Sequence, residues 1–368
     1  MNDIEVITML GKRFAHIDFL EALAIFLVIL YHTPLYSYNF LASDESVLYV
    51  RYFLRCALSI CVPTFFFANG YLLLGKPYDK MKHRKKILHL FLITLVWIVI
   101  TAAVFQLIRG DRTFILNPQN LLRHWIGNNI NHTWYMAVLL VIYILFPLIK
   151  RIYDNKSSLF IKLILILSIF TIGAKTMNLA VVSLRYILSD SDAAVSFLEK
   201  IAPIFPTRER FAYAIVYFGM GGIAYKYRDA LLRIPSAVRI TLASLTIALS
   251  LSAHFFVGVT VSRASGVIWD VVWSGYDTPF TALTLFSVFL LSLSVSRQRR
   301  ILTEISKNTL GIYFVHRVLT SLAAGYLVRY EWMRNVPMNV LAAACILAIS
   351  YAIAKLLSHI PLISRLVK

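Results

Sequence analysis

The chain has 368 residues, of which 59% are hydrophobic and only 15% charged, and its formal net charge is +19. Soluble domains average about 45–50% apolar and about 25% charged residues, so a water-soluble core is excluded and the bilayer is the expected solvent. The apolar stretches run unbroken, as in LITLVWIVITAAVFQLI, whereas barrel strands alternate; helices and closed barrels alone satisfy every backbone polar group in lipid, so the expected fold is all-α.

Ten spans are predicted, at about 17–37, 51–74, 87–108, 134–149, 159–177, 211–225, 238–257, 278–296, 308–328 and 338–357. Their lengths suit a helix crossing a hydrocarbon core of about 30 Å. The stretches at 134–149, which is short, and 211–225, which carries glycines, give the weakest signals. The longest connection is expected from about 178 to 210, with Arg185, Asp190, Asp192 and Arg208 read as solvated charge. Composition shows no second soluble domain, linker or repeat, so residues 1–368 read as one integral membrane domain. The first apolar stretch reads as a span, because it is too long for a leader and lacks a small-residue cleavage site.

Loop charges orient this bundle. With the N-terminus inside, the cytoplasmic segments hold 22 Lys and Arg residues and the opposite segments 13. The bias holds loop by loop and predicts both termini in the cytoplasm. The basic residues sit in short loops, so they read as an orientation signal, and no nucleic-acid partner is expected. Cys56, Cys61 and Cys345 show no metal-ligand spacing, and Cys56 and Cys61, five apart in one span, read as apolar fillers.

Ionisable groups inside a membrane are costly and mark function by default. The first span carries Asp18, Glu21 and His32. Asp18 lies near the interface, where hydration or a cap accounts for it. Glu21 and His32 are eleven residues apart, close to three turns, so both project from one face about 16 Å apart along the axis. They line one polar passage, or else are an interfacial His and a Glu paired elsewhere. Asn69 needs partners inside the second span. His132, Trp134 and Tyr135 open the fourth span, as part of an aromatic belt or of a binding site. His316 and Arg317 sit in mid-span and are expected to face a polar interior. The run KMKHRKKILHL at 80–90, with Arg84, Lys85 and Lys86, reads as orientation signal and lipid contact, or as a lip that holds phosphate.

These segments resemble the acyltransferase-three family of membrane acyltransferases, which includes O-acetyltransferases of bacterial surface polysaccharides. IDFLEALAIFLVILYH looks like the family's opening helix, which ends in His. VPTFFFANGYLLLGK is similar to its second helix, where Ser is common at the position of Asn69. HRKKIL is similar to its basic cytoplasmic stretch, HTWYMAVLLVIYILFPLI to its fourth helix and TLGIYFVHRVL to a late helix with IY and His. The five motifs occur in the family's order. One departure is Glu21, where the family has Arg or Lys, then ten residues, then the His. Another cation, such as Arg317 or Arg13, supplies that charge, or the mechanism or substrate differs, or the chain is inactive.

The resemblance implies transfer of an acyl group, acetyl by default, from cytoplasmic acyl-CoA to a hydroxyl of a cell-envelope glycan. His32 would be the general base or carry the acyl group. His316 and Arg317 would position groups or stabilise an oxyanion, with Glu21 at the basic position. Arg84, Lys85 and Lys86 would meet the donor's phosphates. Asn69, His132, Trp134 and Tyr135 would line the substrate path. Acyl-CoA is then a co-substrate, no cofactor is bound permanently, and the partners are donor, glycan and bilayer. The expected location is the plasma (inner) membrane. A glycan transporter or flippase, and an inactive member acting as sensor or scaffold, are the competing readings.

Overall fold

The computed structural model describes residues 13–33, 36–109, 133–188, 193–201, 211–327, 329–361 and 363–367. Every regular element among them is helical. In chain order these are α1 (Ala15–Tyr31), α2 (Ser46–Cys56), α3 (Cys61–Leu74), α4 (Lys80–Arg109), α5 (Trp134–Asn155), α6 (Ser157–Ser168), α7 (Ala174–Ile187) and α8 (Ala193–Ile201). They continue with α9 (Tyr213–Lys226), α10 (Arg228–Arg233), α11 (Ser236–Ser265), α12 (Pro279–Ser292), α13 (Arg300–Lys307), α14 (Thr309–Leu327) and α15 (Val336–Leu357).

A helix lies at each of the ten expected positions. Among the described residues, six helices are long and apolar enough to cross a membrane: Ser46–Leu74, Lys80–Val104, Trp134–Asn155, Ser157–Ile187, Ser236–Ser265 and Val336–Leu357. The apolar helix Pro279–Ser292 is shorter. The chain is thus a helical, multi-pass membrane protein.

Some boundaries differ from expectation. The first helix ends at Tyr31 instead of 37, because Thr33 precedes Pro34 and a residue before proline avoids helical backbone. Within the expected connection at 178–210, residues 178–187 and 193–201 are helical: a five-residue π-helix at Ile169–Gly173 joins α6 to α7, which runs to Ile187 and carries Arg185 in its last turn, and α8 follows. Asp190, Asp192 and Arg208 lie outside the described residues. α4 begins at Lys80, within the basic run, since long Lys and Arg side chains have good helix propensity.

The chain folds as two compact units. The first comprises residues 1–20, 37–76 and 152–298. Its centre is the crossing of α3 and α9, where two glycines bring backbones together. A Cβ on Gly70 would lie 1.8 Å from the Phe218 carbonyl oxygen, and one on Gly221 would lie 2.0 Å from that of Phe67. Each glycine therefore seats the carbonyl three residues before the other, the close approach that small residues permit between membrane helices. Phe66, Phe67 and Tyr71 of α3 and Tyr217 and Phe218 of α9 are fully buried around this contact. Phe289 of α12 packs on Phe67 at 5.0 Å between ring centres. The Tyr217 and Tyr52 hydroxyls donate to the Tyr276 and Trp269 carbonyls, each at 2.8 Å. Asp18 is buried and held by Arg13 at 2.6 Å. In α11, His254 is fully buried beside Phe280 and Trp269, and neither ring nitrogen has a hydrogen-bond partner among the described residues.

The second unit comprises residues 21–36, 77–151 and 299–368. Trp97 of α4 stacks on Phe314 of α14 at 5.2 Å and donates to the Leu366 carbonyl at 2.7 Å. Asn335 caps α15 by accepting from the Met338 amide, and Pro337 occupies the first turn, where its missing N–H costs nothing. Pro147 lies inside α5. It cannot donate to the carbonyl four residues back, which is that of Tyr143. His83 of α4 is buried and its Nε2 donates to that carbonyl at 2.8 Å, while its ring stacks on Tyr143. An intramembrane carbonyl left by a proline is thus satisfied from a neighbouring helix.

The three cysteines are free thiols. Cys56 and Cys61 are buried, at the end of α2 and the start of α3, and Cys345 is exposed on α15.

Candidate active site

Two of the sequence-predicted residues of the second unit, His32 and His316, meet at the C-terminal end of α1. His32 follows directly on that helix, its amide bonded to the Val28 and Ile29 carbonyls at 3.2 and 3.0 Å. Thr33 folds back, its hydroxyl donating to the Ile29 carbonyl at 3.1 Å. The helix stop therefore fixes where the half-buried imidazole sits.

Across from it lies His316 of α14, fully buried, with ring centres 5.7 Å apart and planes tilted by 35°. Its Nδ1 lies 3.3 Å from the Ile312 carbonyl. A carbonyl accepts only, so Nδ1 carries the hydrogen and a neutral ring has its lone pair on Nε2. Tyr313, one turn earlier on the same face, is 5.8 Å from His316, and Tyr135 of α5 is 5.4 Å from Tyr313. Trp134 follows at 6.4 Å from Tyr135. The rings His32, His316, Tyr313, Tyr135 and Trp134 thus form one continuous wall from three helices.

Glu21 lies about three turns away on α1. Its carboxylate accepts a hydrogen bond from the Ser306 hydroxyl at the end of α13. Arg317 is half-buried; as the neighbour of His316 it points about 100° away around the helix, so the two side chains meet different surroundings. Arg13 is engaged by Asp18, so one of the two cations considered as a substitute at Glu21 already has a partner.

The basic run divides by helical periodicity. Arg84, Lys85 and Lys86 are exposed, while His83 turns inward. Lys86 Nζ lies 5.9 Å from the Tyr143 ring. Asn69 belongs to the first unit, where its amide donates to the Phe65 carbonyl one turn back at 2.9 Å. His132 lies outside the described residues.

Sequence reading passed over His83, Ser306 and Tyr313. Pro147 in an apolar stretch was the available signal for His83, since it implies a carbonyl needing a donor. Tyr313 lies three residues before His316 in LGIYFVHR, hence on its face of the helix. For Ser306 the sequence holds no such signal.

Helices long and apolar enough to cross a membrane, with two apposed imidazoles between them, define a multi-pass membrane protein. The chain matches the acyltransferase-three family, described as an acyltransferase domain, over residues 14–358, and belongs to that family. No curated protein and no solved structure matches it.

Proposed function

We propose that the protein is a membrane O-acyltransferase that moves an acyl group, acetyl by default, from cytoplasmic acyl-CoA to a hydroxyl of an envelope glycan. It would lie in the plasma (inner) membrane with ten spans and both termini cytoplasmic. The observation that carries this reading is the apposition of His32 and His316 at 5.7 Å in a chain of an acyltransferase family.

In this reading His32 takes the proton of the acceptor hydroxyl, a task suited to an imidazole because its ordinary pKa lies near neutrality. The hydroxyl oxygen attacks the thioester carbonyl carbon. A carbon–oxygen bond forms, the carbon–sulfur bond breaks, and the proton passes from His32 to the departing thiolate. His316 orients His32 and the acceptor. Trp134 and Tyr135 give a sugar ring or acyl chain a flat apolar surface. The exposed Arg84, Lys85 and Lys86 meet the donor's phosphates. Glu21 acts through Ser306 rather than as a stand-in for a cation.

The test is transfer of label from acetyl-CoA to glycan in membranes holding the wild type, His32→Ala or His316→Ala. A loss of about 10²–10⁴-fold is expected for His32→Ala. Equal transfer by wild type and His32→Ala would remove His32 from the chemistry. No transfer by the wild type from any acyl-CoA would favour a scaffold or flippase. Glu21→Arg is expected to lower activity, because it deprives Ser306 of its acceptor; preserved or raised activity would show that Glu21 only occupies a cation's place.

A further inference from the structure

The second unit holds a pocket that the proposed transfer chemistry does not use. It is a cavity of about 390 Å³ lined by Glu304, Lys307, Asn308, Lys355, Ser358 and His359. These residues come from the end of α13, the turn into α14 and the C-terminal end of α15. Two ammonium groups share one carboxylate: Lys355 Nζ lies 2.7 Å from one Glu304 oxygen and Lys307 Nζ 3.3 Å from the other. The Asn308 amide donates to the Glu304 backbone carbonyl, and the Ser358 hydroxyl donates to that of Lys355. His359 Nδ1 lies 2.7 Å from the same Lys355 carbonyl, so that nitrogen donates there and the rest of the ring lines the cavity.

Glu304 neutralises one of the two lysines, so the pocket lining carries a net positive charge. Both lysines are about half exposed, so a ligand reaches both ammonium groups from solvent. A second monoanion would only repeat what Glu304 supplies. A dianion with several acceptor oxygens matches both ammoniums at once and lets Glu304 turn to water. The cavity is larger than a bare tetrahedral anion and leaves room for the group that carries it.

We propose that this pocket binds a phosphate monoester, whose oxygens take the two lysines from Glu304. The same chemistry occurs in a soluble phosphorylated molecule and in an anionic lipid headgroup. The proposed donor also carries a phosphate monoester on its ribose, so the proposal is tested by binding alone, apart from acyl transfer.

The experiment uses the full chain purified in neutral detergent. Binding of inorganic phosphate and adenosine monophosphate is measured calorimetrically at constant ionic strength. In parallel, retention of added phosphatidic acid over phosphatidylcholine is read by native mass spectrometry. Lys307→Gln with Lys355→Gln is expected to weaken the bound probe by about tenfold for each lost charge-assisted contact. Glu304→Gln is expected to tighten it severalfold, a gain that a misfolded variant could not show. Saturable adenosine monophosphate or phosphate binding with this pattern assigns a soluble ligand. Selective phosphatidic acid retention with this pattern assigns a headgroup. Absence of both, wild-type affinity in the double variant, or weaker binding in Glu304→Gln would overturn the proposal.

Discussion

Gly70→Ala is the perturbation whose cost can be worked most directly from the structure. The added methyl would sit 1.8 Å from the Phe218 carbonyl oxygen, 2.6 Å from its carbon and 2.9 Å from its Cα, where ordinary contact begins at 3.4 Å. All three are backbone atoms and no side chain can rotate away, so α3 and α9 must separate by about 1.6 Å. A gap of even about 0.5–1 Å forfeits a quarter to a half of each dispersion contact, and the facing rings of Phe67, Tyr71, Tyr217 and Phe218 are fully buried. Overpacking of this kind costs about 1–3 kcal/mol and sometimes more, partly offset by up to about 1 kcal/mol from the better helix propensity of alanine. With a rigid backbone on the far side, we expect the cost to lie at the upper end, for a net loss of about 2 kcal/mol. The apparent unfolding midpoint in detergent, read by fluorescence-detected size exclusion after heating, should then fall by about 5 °C. Gly221→Ala should behave alike, since its methyl would meet the Phe67 carbonyl oxygen at 2.0 Å. Gly173→Ala is the control: its nearest neighbours lie at 3.8 and 3.9 Å, and its midpoint should hold or rise. A wild-type midpoint for Gly70→Ala, or an equal fall for Gly173→Ala, would refute the idea that backbone contact at this crossing holds the unit together.

Three further expectations follow from individual contacts. His83→Phe removes the donor to the Tyr143 carbonyl and should cost about 1–3 kcal/mol; in a Pro147→Ala background, where residue 147 regains its N–H, the same change should cost measurably less, and purely additive losses in the double-mutant cycle would contradict the assignment. His254→Leu removes two ring nitrogens that have no hydrogen-bond partner among the described residues, so its unfolding midpoint should be no lower than wild type; a fall of several degrees would mean that the imidazole has a role in the fold. Lys355 and Lys307 hold the Glu304 carboxyl down from its ordinary 4.5 to about 2. A depressed carboxyl stabilises the fold above its unfolded pKa and loses that contribution as pH falls from about 4.5 through about 2. The carboxyl carbon shift of labelled Glu304 should titrate near 2 and move up in Lys355→Gln, and a wild-type midpoint near 4.5 would contradict the clamp.

Helix positions were legible in the sequence because the bilayer imposes a length and bans polar backbone, so apolar runs mark helices directly. Of the glycines that weakened the reading of 211–225, Gly221 and Gly222 bring α9 onto α3; composition reads glycine as a helix breaker, and only the partner helix shows it as a contact. The basic run at 80–90 hid His83, since its charged neighbours reach water while the imidazole turns inward. The sequence also marked His32 and His316 separately as costly intramembrane groups, but 284 positions separate them. Their apposition depends on how α1 and α14 pack, which no local pattern encodes. Glu21 shows the same limit: a carboxylate in an apolar helix announces a partner without naming it, and the partner, Ser306, is an ordinary serine in a charged stretch.

The exposed thiol of Cys345 has a practical use. Of the three cysteines it is the one exposed, and it lies nine residues into α15, about 14 Å along the axis at 1.5 Å per residue. That is close to half of a hydrocarbon core of about 30 Å. The native chain therefore carries its own depth gauge. A lipophilic maleimide should label it once per molecule while a membrane-impermeant one leaves it untouched. A nitroxide or fluorophore placed there would be quenched most strongly by lipids tagged near the ends of their acyl chains. No cysteine has to be added or removed to follow this helix in the bilayer.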